Sequence, residues 1–146
     1  MNKAIGFIGL GVMGSPIAGH LSNNHEISVF NRSFEKTKSW MKKYSGSEYN
    51  SVKEISKVSD ILILCVGNDN DVREIISKKD GALEHLKSGS CIVDHTTTSA
   101  NLAKEMNDLL STKNINYLDA PISGGQVGAE SGQLSICLLY TSDAAD

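Results

Sequence analysis

Ile8-Gly9-Leu10-Gly11-Val12-Met13-Gly14 is the stretch that decides the fold. It has the form G-x-G-x-x-G, follows the apolar run Ala4-Ile5-Gly6-Phe7-Ile8, and opens a helix-compatible segment with Pro16 in its first turn or so. Each glycine has a separate task in that setting. Gly9 permits a tight turn, Gly11 removes the side chain that would block a pyrophosphate, and Gly14 lets the helix pack closely on the strand. The first N–H groups of the helix then face the anion, with Leu10, Val12 and Met13 completing the loop, and an absent N–H at Pro16 costs little there. Glycine loops often serve only as turns. Here strand, loop and helix agree, and the loop is read as a dinucleotide site.

Outward from the loop, strand and helix signals alternate. Glu26-Ile27-Ser28-Val29-Phe30 is a second apolar run, and Ile61-Leu62-Ile63-Leu64-Cys65-Val66 is continuous, as a parallel strand covered on both faces should be. Cys91-Ile92-Val93-Asp94 and Tyr117-Leu118-Asp119 are shorter and each stops at an acidic residue. Between them Leu102, Met106, Leu109 and Leu110 share one helical face, with Thr98 or Ser99 placed to cap its start. Trp40, Met41 and Tyr44 read as a helix face packed on a sheet. The repeated β-α-β order implies an α/β, doubly wound parallel sheet of Rossmann type.

Composition narrows the partners. The chain has 146 residues, 14 Lys+Arg against 17 Asp+Glu, and a formal charge of -3. One core is what that length buries, and the absence of a basic excess gives no support to nucleic acid or an anionic membrane as a partner. No apolar run approaches a membrane span or a signal sequence, so the expected compartment is the cytoplasm. Cys65, Cys91 and Cys137 have no disulfide or zinc spacing, and Cys65 and Cys91 read as buried small hydrophobes.

The end of the second strand selects the cofactor. About 20 residues past the loop, where a carboxylate would hold the ribose 2′-hydroxyl of NAD, this chain has Asn31-Arg32-Ser33. Asn31 can hydrogen-bond a ribose or phosphate oxygen, and Arg32 can pair with a 2′-phosphate and stack on adenine. The expectation is NADP in preference to NAD.

These residues, with CVGNDNDVREI (65–75), VDHTTTSA (93–100) and DAPISGGQVGAESGQLSI (119–136), resemble the β-hydroxyacid dehydrogenases of the 3-hydroxyisobutyrate dehydrogenase, tartronate semialdehyde reductase and glyoxylate reductase type. The resemblance implies reversible hydride transfer between a nicotinamide cofactor and a small β-hydroxyacid or semialdehyde. It implicates Cys65, Val66, Asn70 and Thr97 in cofactor contact and Ser123, Gly124 and Gly125 in binding the substrate carboxylate. A serine followed by two glycines is physically suited to an anion, though by itself it fits a plain turn equally well. His95 stands where these proteins commonly have serine, and a structural or surface role is expected for it rather than general acid catalysis. His20, His25 and His85 have still less to suggest catalysis.

The resemblance also implies a general-acid lysine on a helix downstream of Gln133-Leu134-Ser135-Ile136, and an all-helical C-terminal domain that completes the pocket and the homo-oligomer. No residue here matches that lysine; Lys104 and Lys113 lie in the wrong element. The final Cys137-Leu-Leu-Tyr-Thr-Ser-Asp-Ala-Ala-Asp146 is a direct translation of TGTCTCTTATACACATCTGACGCTGCCGAC, which resembles a transposase adapter of sequencing libraries. The expectation is an incomplete cofactor domain over residues 1–136 and a non-native tail over 137–146, extended as far as Tyr140 and loose beyond, with no turnover by the chain itself. Two alternatives stay open: a complete, non-catalytic dinucleotide-binding module, and the cofactor half of an imine reductase relative.

Overall fold

The computed structural model describes residues 3–136 and, for the backbone, 139–140. The expected α/β fold is present. Six parallel strands form its sheet: β1 (Ile5–Ile8), β2 (Ile27–Phe30), β3 (Ser47–Glu48), β4 (Ile61–Leu64), β5 (Cys91–Asp94) and β6 (Asn116–Asp119). A seventh, β9 (Leu139–Tyr140), pairs antiparallel with β6, giving the order β3-β2-β1-β4-β5-β6-β9. β1 is thus central, in register with β2 through Ile5↔Ile27 and with β4 through Ile5↔Ile61. A separate pair is made by β7 (Ile122–Ser123) and β8 (Ser135–Ile136).

Side chains alternate across the central strands and feed two cores. Phe7, Val29 and Ile63 point to one face, where α1 (Gly14–Ser22) and α2 (Phe34–Lys43) contribute Ala18 and Trp40. Trp40 is packed as expected, with Met41 and Tyr44 against the same cluster and its indole N–H donated to the Ser15 carbonyl at 3.1 Å. Ile8, Leu62, Leu64 and Ile92 point to the other face. It is covered by α3 (Val52–Lys57), α4 (Asp69–Ser77), α5 (Ala82–His85) and α6 (Ala100–Ser111). The α6 face is the one its spacing predicts: Leu102, Met106 and Leu110 are fully buried, each worth about 1.5–3 kcal/mol in transfer terms. Ser99, not Thr98, is the cap, accepting the Leu102 N–H at 3.1 Å.

Two expectations are revised, and a third falls on residues that are not described. The strand expected after Gly132 is short and exposed rather than half-buried: β8 belongs to the small sheet, whereas β9 belongs to the large one; alternation in sequence does not name a strand's partner. The expected loose end over 141–146 lies outside the described residues. Cys65 and Cys91 are half-buried rather than fully enclosed. No described helix is long and apolar enough to cross a membrane.

Candidate functional site

The order of strands reverses between β1 and β4, and open α/β sheets bind ligands in the crevice beyond their carboxyl ends at that point. A cavity of about 810 Å³ lies there, and the glycine loop forms its floor. Gly9 has φ 107°, and a Cβ on it would run into the Cys65 carbonyl of the β4 end. A Cβ on Gly14 would strike the carbonyl of Gly9, so the loop closes on itself only without these side chains. Gly11 differs, since nothing lies within 4 Å of its Cβ position and its pro-chiral face is open. No side chain caps the start of α1, which leaves its first N–H groups to a ligand.

One wall is the β2 end. Asn31 accepts the Leu10 N–H at 2.8 Å and donates to the Ser33 carbonyl at 3.1 Å. Its amide therefore braces the glycine loop to the turn before α2, a role that sequence alone did not suggest. Arg32 and Ser33 line the cavity. The Arg32 guanidinium is 83% exposed and leans toward Asp71 and Glu74 of α4, at 3.8 and 3.9 Å. Lys36 and Lys78 also line this region, and Lys78 shares Glu74 with Arg32 through a 2.8 Å contact. Both lysines escaped the sequence reading. Lys36 could have been sought one helical turn after Arg32, whereas Lys78 is brought in by tertiary structure.

The far wall is the β5 end, held by a buried network. Asp94, 0% exposed, accepts the Tyr117 hydroxyl at 2.6 Å and the Thr96 N–H at 2.9 Å. The Thr96 hydroxyl in turn accepts the Val66 N–H at 3.0 Å, tying β5 to the β4 end. Burial raises the Asp94 carboxyl above the usual range, more than the two donors lower it. Burial and the Asp94 charge likewise raise Tyr117 and Asp119. They also push the Cys65 thiol to about 11, which keeps it protonated at neutral pH and unsuited to nucleophilic work. His95 is buried, its Nδ1 2.7 Å from the Ala120 carbonyl.

Of the residues singled out by sequence, Gly9, Gly11, Val12, Met13, Gly14, Asn31, Arg32, Ser33, Cys65, Val66, Thr97 and Gly125 line this cavity together. Four do not. Leu10 is turned into the core beside α1. Asn70 lies in the first turn of α4, exposed, accepting from Arg73 at 3.2 Å. Asn68 caps α4 by accepting the Asp71 N–H at 3.0 Å, which places Asn70 inside the helix. Ser123 and Gly124 sit beside the cavity rather than on its wall, Ser123 in the β7 ladder and Gly124 ahead of α7 (Gly125–Ser131). His20 of α1 reaches that helix, its Nε2 3.0 Å from both the Ala129 and Glu130 carbonyls.

Comparison with known proteins bears on this geometry. An uncharacterized oxidoreductase of Shewanella frigidimarina is 42% identical over 135 residues, 92% of this chain and 46% of its own. The Arabidopsis thaliana protein named probable 3-hydroxyisobutyrate dehydrogenase-like 2, mitochondrial, is 40% identical over 90% of this chain and 44% of its own. The crystal structure of 3-hydroxyisobutyrate dehydrogenase from Salmonella typhimurium superimposes with a TM-score of 0.82 at 29% identity, covering 94% of this chain and 48% of that one. The chain thus spans about half the length of the relatives it matches. Residues 4–139 match the profile of the NAD binding domain of 6-phosphogluconate dehydrogenase, and the chain belongs to that family of dinucleotide-binding domains.

Proposed function

We propose that this chain is the cofactor half of an oxidoreductase that transfers hydride between NADP(H) and a small β-hydroxyacid or semialdehyde. The observation that carries the reading is the single cavity running from Arg32 past the open face of Gly11 to Thr97 and Gly125. When bound, the nicotinamide cofactor supplies the hydride. The chain's own residues bind and orient it: the α1 N-terminus and Gly11 take the pyrophosphate, and Arg32, Ser33 and Lys36 take the adenosine end. Val66 and Thr97 flank the opposite end, where Gly125 lines the cavity and, with Ser123 and Gly124 beside it, forms the donor turn for a substrate carboxylate at the cavity's edge.

Proton transfer at the alcohol oxygen is assigned to a residue of the half not contained here. The lysines that line the cavity are Lys36, Lys78 and Lys79, grouped on the Arg32 side. A missing general acid typically costs ~10²–10⁴ in rate, and missing pocket walls add to that. Steady dehydrogenase turnover by this chain, abolished by mutating one of its own lysines, would overturn the assignment.

The cofactor preference has a direct test. NADPH should bind more tightly than NADH, and Arg32→Asp should remove about 1.5–3 kcal/mol of that difference, one to two decades in affinity. Titration of both dinucleotides against the parent and the variant decides it. Equal affinities in the parent would sink the NADP assignment while leaving the dinucleotide site standing.

A further inference from the structure

His95 occupies an unusual position for a histidine. It follows β5 directly, is 8% exposed, forms part of the cavity wall, and is held on two sides. Its backbone N–H donates to the Leu64 carbonyl at 2.8 Å, and its Nδ1 lies 2.7 Å from the Ala120 carbonyl. A carbonyl oxygen can only accept, so Nδ1 carries the proton. In the neutral ring the lone pair is then on Nε2. Nε2 has no hydrogen-bond partner among the described residues, and it belongs to a side chain that lines the open cavity, where a ligand donor can reach it.

We infer that His95 is a positioning residue whose Nε2 accepts a hydrogen bond from the carboxamide NH2 of the nicotinamide, fixing which face of the ring is presented. The inference rests on the reading of the cavity as a nicotinamide dinucleotide site. Strand spacing supports the location. The pyrophosphate is seated at β1, and β5 is two strands away beyond β4, about 10 Å at roughly 4.8 Å per strand. That is the distance a ribose and a pyridine ring cover. The adenosine end is committed to the opposite side by Arg32, beyond β2. An amide NH2 is a donor and needs an acceptor, which a histidine fixed in this tautomer provides and a protonated one does not.

The test is calorimetric binding to this chain at pH 8 and needs no turnover. NADP+ is compared with its 3-acetylpyridine analogue, in which a methyl group replaces the NH2 while the carbonyl is kept. The parent should prefer NADP+ by about three- to tenfold, the value of one hydrogen bond. In His95→Asn the side-chain NH2 can replace Nδ1 against Ala120, but nothing replaces Nε2. The preference should fall to about one, with the analogue's affinity unchanged. His95→Gln, which keeps an acceptor near the Nε2 position, should recover part of it. If His95→Asn weakens both ligands equally, the residue is merely structural and the inference fails. If the parent binds NADP+ without discriminating, the carboxamide contact is wrong while the dinucleotide site stands. If the parent binds neither, the reading of the site falls with it.

Discussion

Asp94 shows what a single residue can conceal. In the sequence it is the acidic end of an apolar run; in the fold it is a fully buried carboxylate that orders the β5 end through Tyr117 and Thr96. The sequence offered no sign of this, because Tyr117 comes from a strand 23 residues away. Asp94→Ala should destabilise by about 1–3 kcal/mol or more through loss of its buried bonds to Thr96 and Tyr117, read from urea unfolding. Asp94→Asn keeps an acceptor for Thr96 and an NH2 that the Tyr117 oxygen can accept, so it should cost under about 1 kcal/mol. The pH dependence follows from the raised pKa. A carboxyl raised on folding favours the native state fully below its unfolded pKa of about 3.9, and that contribution is lost as pH rises through its folded value. Asp94→Asn removes the term. The variant should therefore gain on the parent as pH goes from 4 to 8, and paired unfolding curves at the two pH values check the sign. Asn31 carries the same lesson: its position was legible, but its use as a brace between Leu10 and Ser33 depends on a loop geometry that no spacing reveals.

Whole elements were far more readable than the contacts between them. Continuous apolar runs gave β1, β2, β4, β5 and β6, and the 3.6-residue spacing gave α6. β3 and β7 were missed because two residues carry no period, and the start of α4 was missed although Asn68 and Asp71 stand at cap spacing. The β1–loop–α1 unit separates folding from binding within one motif. Gly11→Ala adds a methyl group in open space, so thermal stability should stay within a few degrees while NADPH affinity falls at least tenfold. Gly14→Ala drives its methyl into the Gly9 carbonyl and should lower both, with a melting temperature depressed by several degrees. Calorimetric melting and cofactor titration on the two variants distinguish the roles. Equal loss of stability in both would mean that Gly11 serves the turn rather than the ligand.

At the scale of the molecule, one sheet carries helices on both faces, and its last parallel strand, β6, is bordered by β9. Removing residues 137–146 should leave cofactor affinity within about twofold, since among the described residues the cavity lining ends at Gly125, but should expose the β6 edge. Light scattering at rising concentration should then show greater self-association; loss of NADPH binding by a folded truncated protein would instead give the tail a functional role. Fold class was legible because the β-α period is written locally, whereas strand order depends on pairings distant along the chain. That same order has a consequence for synthesis. Of these strands β1 is translated before the rest and ends up inside the sheet, and its second neighbour, β4, begins only at Ile61. Until then β1 has one free edge and its Ile8 face has no α4 or α6 to cover it. A nascent chain halted before β4 should therefore be protease-sensitive and held by chaperones, and one halted after α6 should be resistant. Folding on the ribosome becomes a late, collective event rather than a stepwise one.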